Sequence, residues 1–264
     1  MEKRIALVTG GSSGIGRSLC LKLAKEGYQV FSASRSKSLP NDMTEITQIS
    51  VDFSSAEQSS TFAQNFIDQY GVPDLLVNNA GYGAFYEWAK FPDTEINKQI
   101  EVLFSAPVRL CRVFAPAMQK EGRGVILNLS SLATHYPLPY MPLYNAGKSA
   151  LSSFTESMML EYLNFPKFID FRMGDVRTGF NAATSRQESF NQSMGLAWKQ
   201  VEKQLKDSVS SETAVEQIVT RIKRAKRGTF YGGTFFHKLV LPLVFRILPR
   251  NCTAKLICAW YGLD

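Results

Sequence analysis

Cysteine is scarce in this chain, and what there is lies scattered. The four residues Cys20, Cys111, Cys252 and Cys258 include no pair with metal-site or C-x-x-C spacing. That excludes a zinc-stapled module and a dithiol redox centre, so no metal is expected. Buried, reduced thiols are the default and suit a cytoplasmic protein. Nor is a secretory leader expected. Met1-Glu2-Lys3-Arg4 runs straight into the apolar Ile5-Ala6-Leu7-Val8, without an apolar core and small-residue cleavage site. No apolar run is long enough to span a bilayer. The longest candidate, FFHKLVLPLVFRIL from Phe235 to Leu248, is interrupted by His237, Lys238, Pro242 and Arg246. Acid is absent from one region: Gln217 to Leu263 holds nine Lys/Arg and neither Asp nor Glu. The formal charge of +7 therefore belongs to the C-terminal fifth. No nucleic-acid-binding module accompanies that charge, so nucleic acid is not expected as a partner.

What is present is a regular alternation. At 264 residues the chain fits one large α/β domain with a sizeable core. Ile5 to Val8 is a continuous apolar run, as in a strand buried on both faces. TGGSSGIG follows at 9–16, then Ile15, Leu19 and Leu23 at helical spacing. Strand, Gly-rich turn and helix form a seat for a pyrophosphate on free N–H groups at a helix N-terminus. The second strand, Gln29 to Ala33, ends in Ser34-Arg35-Ser36. In a dinucleotide fold an acid near this point binds ribose hydroxyls, whereas an Arg accommodates a 2′-phosphate; Arg35 argues for NADP(H). Further strands are expected at Ile46–Val51, Asp74–Val77, Val125–Leu129, Phe168–Met173 and Gly228–Gly232. Ser55-x-x-Gln58 reads as a capping box. A helix over 94–120 should be kinked or divided by Pro107 and Pro116. This order predicts an α/β architecture, a doubly wound parallel sheet with helices on both faces. Ligands of such sheets bind beyond the carboxyl ends of the strands.

Tyr144-Asn145-Ala146-Gly147-Lys148 opens a further helix. Tyr144 and Lys148, four apart, share one face. A phenol with a reference pKa of about 10 is a poor acid–base group at neutral pH. A fixed ammonium beside it favours the phenolate and should lower that pKa. Such a pair can give a proton to a forming alkoxide or take one from an alcohol.

With TGGSSGIG at 9–16, NNAG at 78–81, Ser131 thirteen residues before Tyr144, and YNAGK at 144–148, the chain resembles the short-chain dehydrogenase/reductase family. The resemblance implies a single-domain Rossmann fold of about seven strands over 1–264. It implies that Gly10, Ser12, Ser13, Gly14, Ile15 and Gly16 cradle the cofactor phosphates. Asp52 and Phe53 would meet the adenine, and Asn79, Ala80 and Gly81 would line the ribose side. Val176 and Thr178 would hold the nicotinamide carboxamide. Tyr144 would be the general acid or base, Lys148 would hold the nicotinamide ribose and lower the Tyr144 pKa, and Ser131 would bond the substrate oxygen. Two departures stand out. Leu103 falls where many relatives carry an Asn that supports a water relay to the Lys, and Met173-Gly174 replaces the usual Pro-Gly.

Residues 179–212 correspond to the family's substrate lid, and 235–264 form an apolar, basic tail. That tail packs at a subunit interface or over the cleft, or it lies at a membrane interface. Similar tails in relatives that handle retinoids, steroids or acyl chains imply a lipophilic substrate, with a carbonyl and a secondary or primary alcohol interconverted. A homodimer or homotetramer is the family's usual form. The alternative to an enzyme is a non-catalytic NADP(H)-binding sensor or assembly subunit, which Leu103 alone favours.

Overall fold

The computed structural model describes residues 3–36 and 45–263; the chain's first two residues, Met1 and Glu2, and the tail's last, Asp264, lie outside the described residues. Seven strands are β1 (Ile5–Thr9), β2 (Gln29–Ser34), β3 (Ile46–Ser50), β4 (Leu75–Asn78), β5 (Val125–Ser131), β6 (Lys167–Met173) and β7 (Gly228–Gly232). They form one parallel sheet in the order β7-β6-β5-β4-β1-β2-β3. Strand order reverses between β1 and β4, which opens a crevice beyond their carboxyl ends.

The sheet is buried on both faces because its strands are apolar at consecutive positions. Ala6, Leu7 and Val8 are fully buried. Ala6 and Val8 point to one side, onto α1 (Gly14–Lys25) and α7 (Ser211–Arg224), through Leu19, Leu23, Ile218 and Ile222. Leu7 points to the other, onto α2 (Ala56–Tyr70) and α4 (Ala106–Lys120), through Phe66, Leu110 and Phe114. Phe66 stacks edge-on with Phe31 at 5.0 Å and Phe114 at 5.8 Å. Truncating such a ring to alanine costs about 3–5 kcal/mol.

Two local expectations are corrected. The 94–120 segment is α3 (Asp93–Ile100), a π-helical turn (Glu101–Ser105) and α4. The division falls just before Pro107, which takes an early position in α4 where its missing N–H costs nothing. Pro116 sits inside α4 on the exposed side and divides nothing. The capping box is half formed. Ser55 accepts from the Gln58 N–H at 3.3 Å, but the Gln58 side chain turns back to the Asp52 N–H at 2.9 Å.

Residues 179–212 contain α6 (Gln192–Lys206), capped by Asn191, whose side chain accepts from the Met194 N–H at 2.9 Å. The tail folds as a π-helical turn (Phe236–Val240), α8 (Leu241–Ile247) and α9 (Arg250–Tyr261). Both segments return over the carboxyl edge of the sheet. There Met194 and Trp198 of α6 and Tyr261 of α9 pack with Phe85 and Met141, and Tyr144 and Phe180 lie against them. No helix among the described residues is long and apolar enough to cross a membrane.

Candidate active site

A cavity of about 500 Å³ lies along the carboxyl edge and is lined by the loop 10–16 apart from Gly11, and by Arg35, Asp52, Phe53, Asn79, Ala80, Gly81, Ser131, Tyr144, Lys148, Val176 and Thr178. Gly10 and Gly16 leave no room for a side chain. Gly10 has φ +68°, and a Cβ there would come within 2.8 Å of the Ala80 Cα. A Cβ on Gly16 would meet the Gly10 carbonyl oxygen at 2.3 Å. At the N-terminus of α1, Ser13 makes no side-chain cap and the first turn holds no acid. Backbone N–H groups and the positive helix end therefore face the cavity, the donor set a pyrophosphate requires. Asn79 staples the two loops together: its amide donates to the Thr9 carbonyl at 2.9 Å and the Gly10 carbonyl at 3.2 Å. The Thr9 hydroxyl in turn accepts from the N–H groups of Asn79 and Ala80, each at 3.0 Å. Asn79 thus shapes the cradle rather than offering a free amide. Arg35 is exposed at the end of β2, on the same wall as Asp52 and Phe53.

Helix α5 (Pro142–Glu161) carries Tyr144 and Lys148 on the face that closes the cavity. Lys148 is buried and its Nζ donates to the Leu129 carbonyl at 2.6 Å. Ser131 ends β5, accepts from the Ala133 N–H at 3.1 Å, and lines the cavity together with Tyr144. Here the expected lowering of the Tyr144 pKa gives way to burial. Desolvation pushes the phenol up to about 12, the Ser131 hydroxyl works against it, and the Asp175 charge adds to the rise. Burial has the opposite sign for the ammonium and pulls Lys148 down to about 8, with the Asp170 charge opposing. At neutral pH the site therefore holds a protonated phenol beside a lysine close to its titration point.

Leu103 is completely buried in the π-helical turn. It is wedged between the two glycine-bearing motifs: a Cβ on Gly147 would lie 2.8 Å from the Leu103 Cβ, and one on Gly81 would lie 3.0 Å from its Cδ2 and 3.6 Å from Lys148 Nζ. An apolar side chain thus occupies the approach to Lys148 where a relay amide was the family expectation.

Sequence reasoning missed the group beneath Lys148. Asp170 on β6 is fully buried and accepts from Ser130, from Ser152 at 2.7 Å and from Arg172 Nε at 2.8 Å. Arg172 also reaches Glu156 and the His135 ring. The signal was available: Asp170 and Arg172 are two apart on one face of an otherwise apolar strand, FIDFRM. Asp175 was also overlooked. It lines the cavity, burial raises its pKa, and His237 of the tail lies 3.8 Å away.

A parallel sheet with this strand order and a Tyr–Lys–Ser site at its carboxyl edge define a dinucleotide-dependent oxidoreductase fold. The model of the family described as short chain dehydrogenase matches residues 4–189, and the chain belongs to that family. It is similar to a 3-ketodihydrosphingosine reductase of Bacteroides thetaiotaomicron, 29% identical over 211 residues, 77% of this chain and 78% of the relative. Of two further relatives it covers only 54% and 39% of their length. Among solved structures, a short-chain dehydrogenase/reductase of Burkholderia phymatum in complex with NAD superposes with a TM-score of 0.79 at 22% identity, over 97% of this chain and 95% of that one. L-sorbose reductase of Gluconobacter frateurii, complexed with NADPH and L-sorbose, gives 0.73 at 24% identity, over 88% and 95%. Both nicotinamide cofactors thus occur on this fold.

Proposed function

We propose that the chain is an NADP(H)-dependent oxidoreductase that interconverts a carbonyl and an alcohol on a lipophilic substrate. One observation carries the reading: Tyr144, Ser131 and the buried Lys148 line the same cavity as the Gly-rich cradle. The loop 10–16 would hold the phosphates, Asp52 and Phe53 the adenine, Asn79, Ala80 and Gly81 the ribose side, and Val176 and Thr178 the carboxamide. The nicotinamide, when bound, supplies a hydride from C4 to the carbonyl carbon. Ser131 fixes the substrate oxygen. Tyr144, protonated at neutral pH, gives its proton to that oxygen as charge develops there. Lys148 stabilises the phenolate left behind and holds the ribose hydroxyls.

Arg35 supports the 2′-phosphate of NADP(H) over NAD(H). The lipophilic substrate is supported by a wall of Leu138, Met141, Phe180, Trp198 and Val201, and the carbonyl by the ketone in the name of the Bacteroides relative. Residues 179–212 act as the lid. The same reading covers a cytoplasmic homodimer or homotetramer whose 235–264 tail makes peripheral membrane contact. Leu103 favours the alternative of a non-catalytic NADP(H)-binding sensor or assembly subunit. Tyr144→Phe separates the two. It should leave NADPH binding, read by fluorescence, within about twofold, and slow reduction of a reactive test carbonyl about 10²–10⁴-fold. If the wild type oxidises no NADPH across a broad carbonyl panel, the enzyme reading fails.

A further inference from the structure

The tail has two faces. Inward, the His237 ring lies so close to Gly174 and Gly233 that a Cβ on either would come within 2.6 Å and 2.8 Å of its Nδ1. Phe245 stacks on Tyr136 of the cavity wall at 5.2 Å. These contacts hold the π-helical turn and α8 in place, and so fix what faces outward. The outward stripe is Phe236, Leu239, Leu243 and Ile247, at 45%, 56%, 55% and 69% exposure, with the spacing of one helix face. On α9, Leu256 and Trp260 repeat the pattern one turn apart, both more than half exposed. Lys238, Arg246, Arg250 and Lys255 are exposed on the same elements, and no acid lies between Phe235 and Leu263. Apolar surface of this extent marks an interaction site.

Charge decides the occupant. A two-fold interface sets a patch against its own copy. Here that would bring like charges together with no carboxylate to pair them. An anionic lipid surface satisfies both halves of the pattern, taking Leu, Phe and Trp into the acyl boundary and Lys and Arg at the headgroups. We infer that the outer face of residues 235–260 docks on an anionic membrane surface. The docking stands on the tail's own surface; its purpose, presenting the cavity behind the same helix to a lipophilic substrate, rests on the proposed function.

The test uses the full chain and co-sedimentation with phosphatidylcholine vesicles, pure or carrying about a third phosphatidylglycerol. The wild type should pellet with the anionic vesicles at low salt, stay in solution with the neutral ones, and be released by about 0.5 M salt. Lys238→Glu/Arg246→Glu should weaken partitioning by at least about 25-fold, taking about fivefold per cation. Leu239→Glu/Leu243→Glu should abolish it. All four side chains are exposed, so thermal melts and NADPH binding should match the wild type in both variants. Absence of wild-type binding at low salt, equal binding to neutral vesicles, or unchanged binding by both variants would overturn the inference. So would a dimer in sedimentation velocity that Leu239→Glu/Leu243→Glu splits. No carbonyl reduction is read in this assay, so vesicle binding by a protein without reductase activity would sink the proposed function and leave the docking intact.

Discussion

Replacing Asp170 by asparagine should act on the site from below without touching the cavity. Asp170 is buried, and its carboxylate accepts from Ser130, Ser152 and Arg172. Arg172 is itself only 10% exposed in its side chain and has Glu156 as its remaining carboxylate partner. Asparagine keeps one acceptor oxygen but removes the charge, leaving a largely buried guanidinium short of a partner. Breaking a buried pair in this way costs about 3–5 kcal/mol. At about 2–4 °C per kcal/mol for a chain near this size, the melting temperature should fall by about 10 °C. The second effect is electrostatic. Lys148 sits at about 8 because burial lowers it and Asp170 holds it up. Its ammonium is present below that value and lost as pH rises through it. With the Asp170 charge gone, burial acts alone and the loss comes at lower pH. The assay is the pH–rate profile of NADPH oxidation with a test carbonyl, run well below the variant's melting temperature. The wild type should lose activity as pH rises through about 8, and Asp170→Asn should lose it below that pH. A folded variant whose alkaline limb stays where it was would refute the claim that Asp170 sets the Lys148 charge. A melting temperature within 2 °C or so of wild type would refute the packing argument.

Two further outcomes follow from single contacts. Arg35→Ala should weaken NADPH binding about tenfold to a hundredfold, the worth of a charge-assisted phosphate contact, and leave NADH unchanged; equal loss for both, by titration, removes the 2′-phosphate role. Gly81→Ala sets a methyl 3.0 Å from Leu103 Cδ2 and should cost about 1–3 kcal/mol in denaturant unfolding. In the Leu103→Ala background the same change should cost less, because the opposing methyl is gone; additive costs in that double-mutant cycle would show that the two residues do not press on each other.

The alternation of strands and helices, the Gly-rich turn after β1 and the Tyr144/Lys148 pair were legible in the sequence because each is local. Apolar runs mark strands, apolar spacing marks helices, and a turn that must have glycine announces itself within eight residues, 9–16. The remaining points have another origin. That the Asn79 amide also ties its loop to Thr9 and Gly10, about seventy residues away, could not be read from the motif. Gln58 completes a capping box on paper, yet the Asp52 N–H takes its side chain. The sign of the Tyr144 shift could not be read from a lysine four residues on, because burial is set by neighbours from β5, the 179–212 segment and the tail. What the sequence determined alone was which groups meet at the sheet's carboxyl edge. Only the tertiary structure decided their charge states, the wedge at Leu103, and which face of the tail is left to solvent, since desolvation and contact depend on segments far apart in the chain.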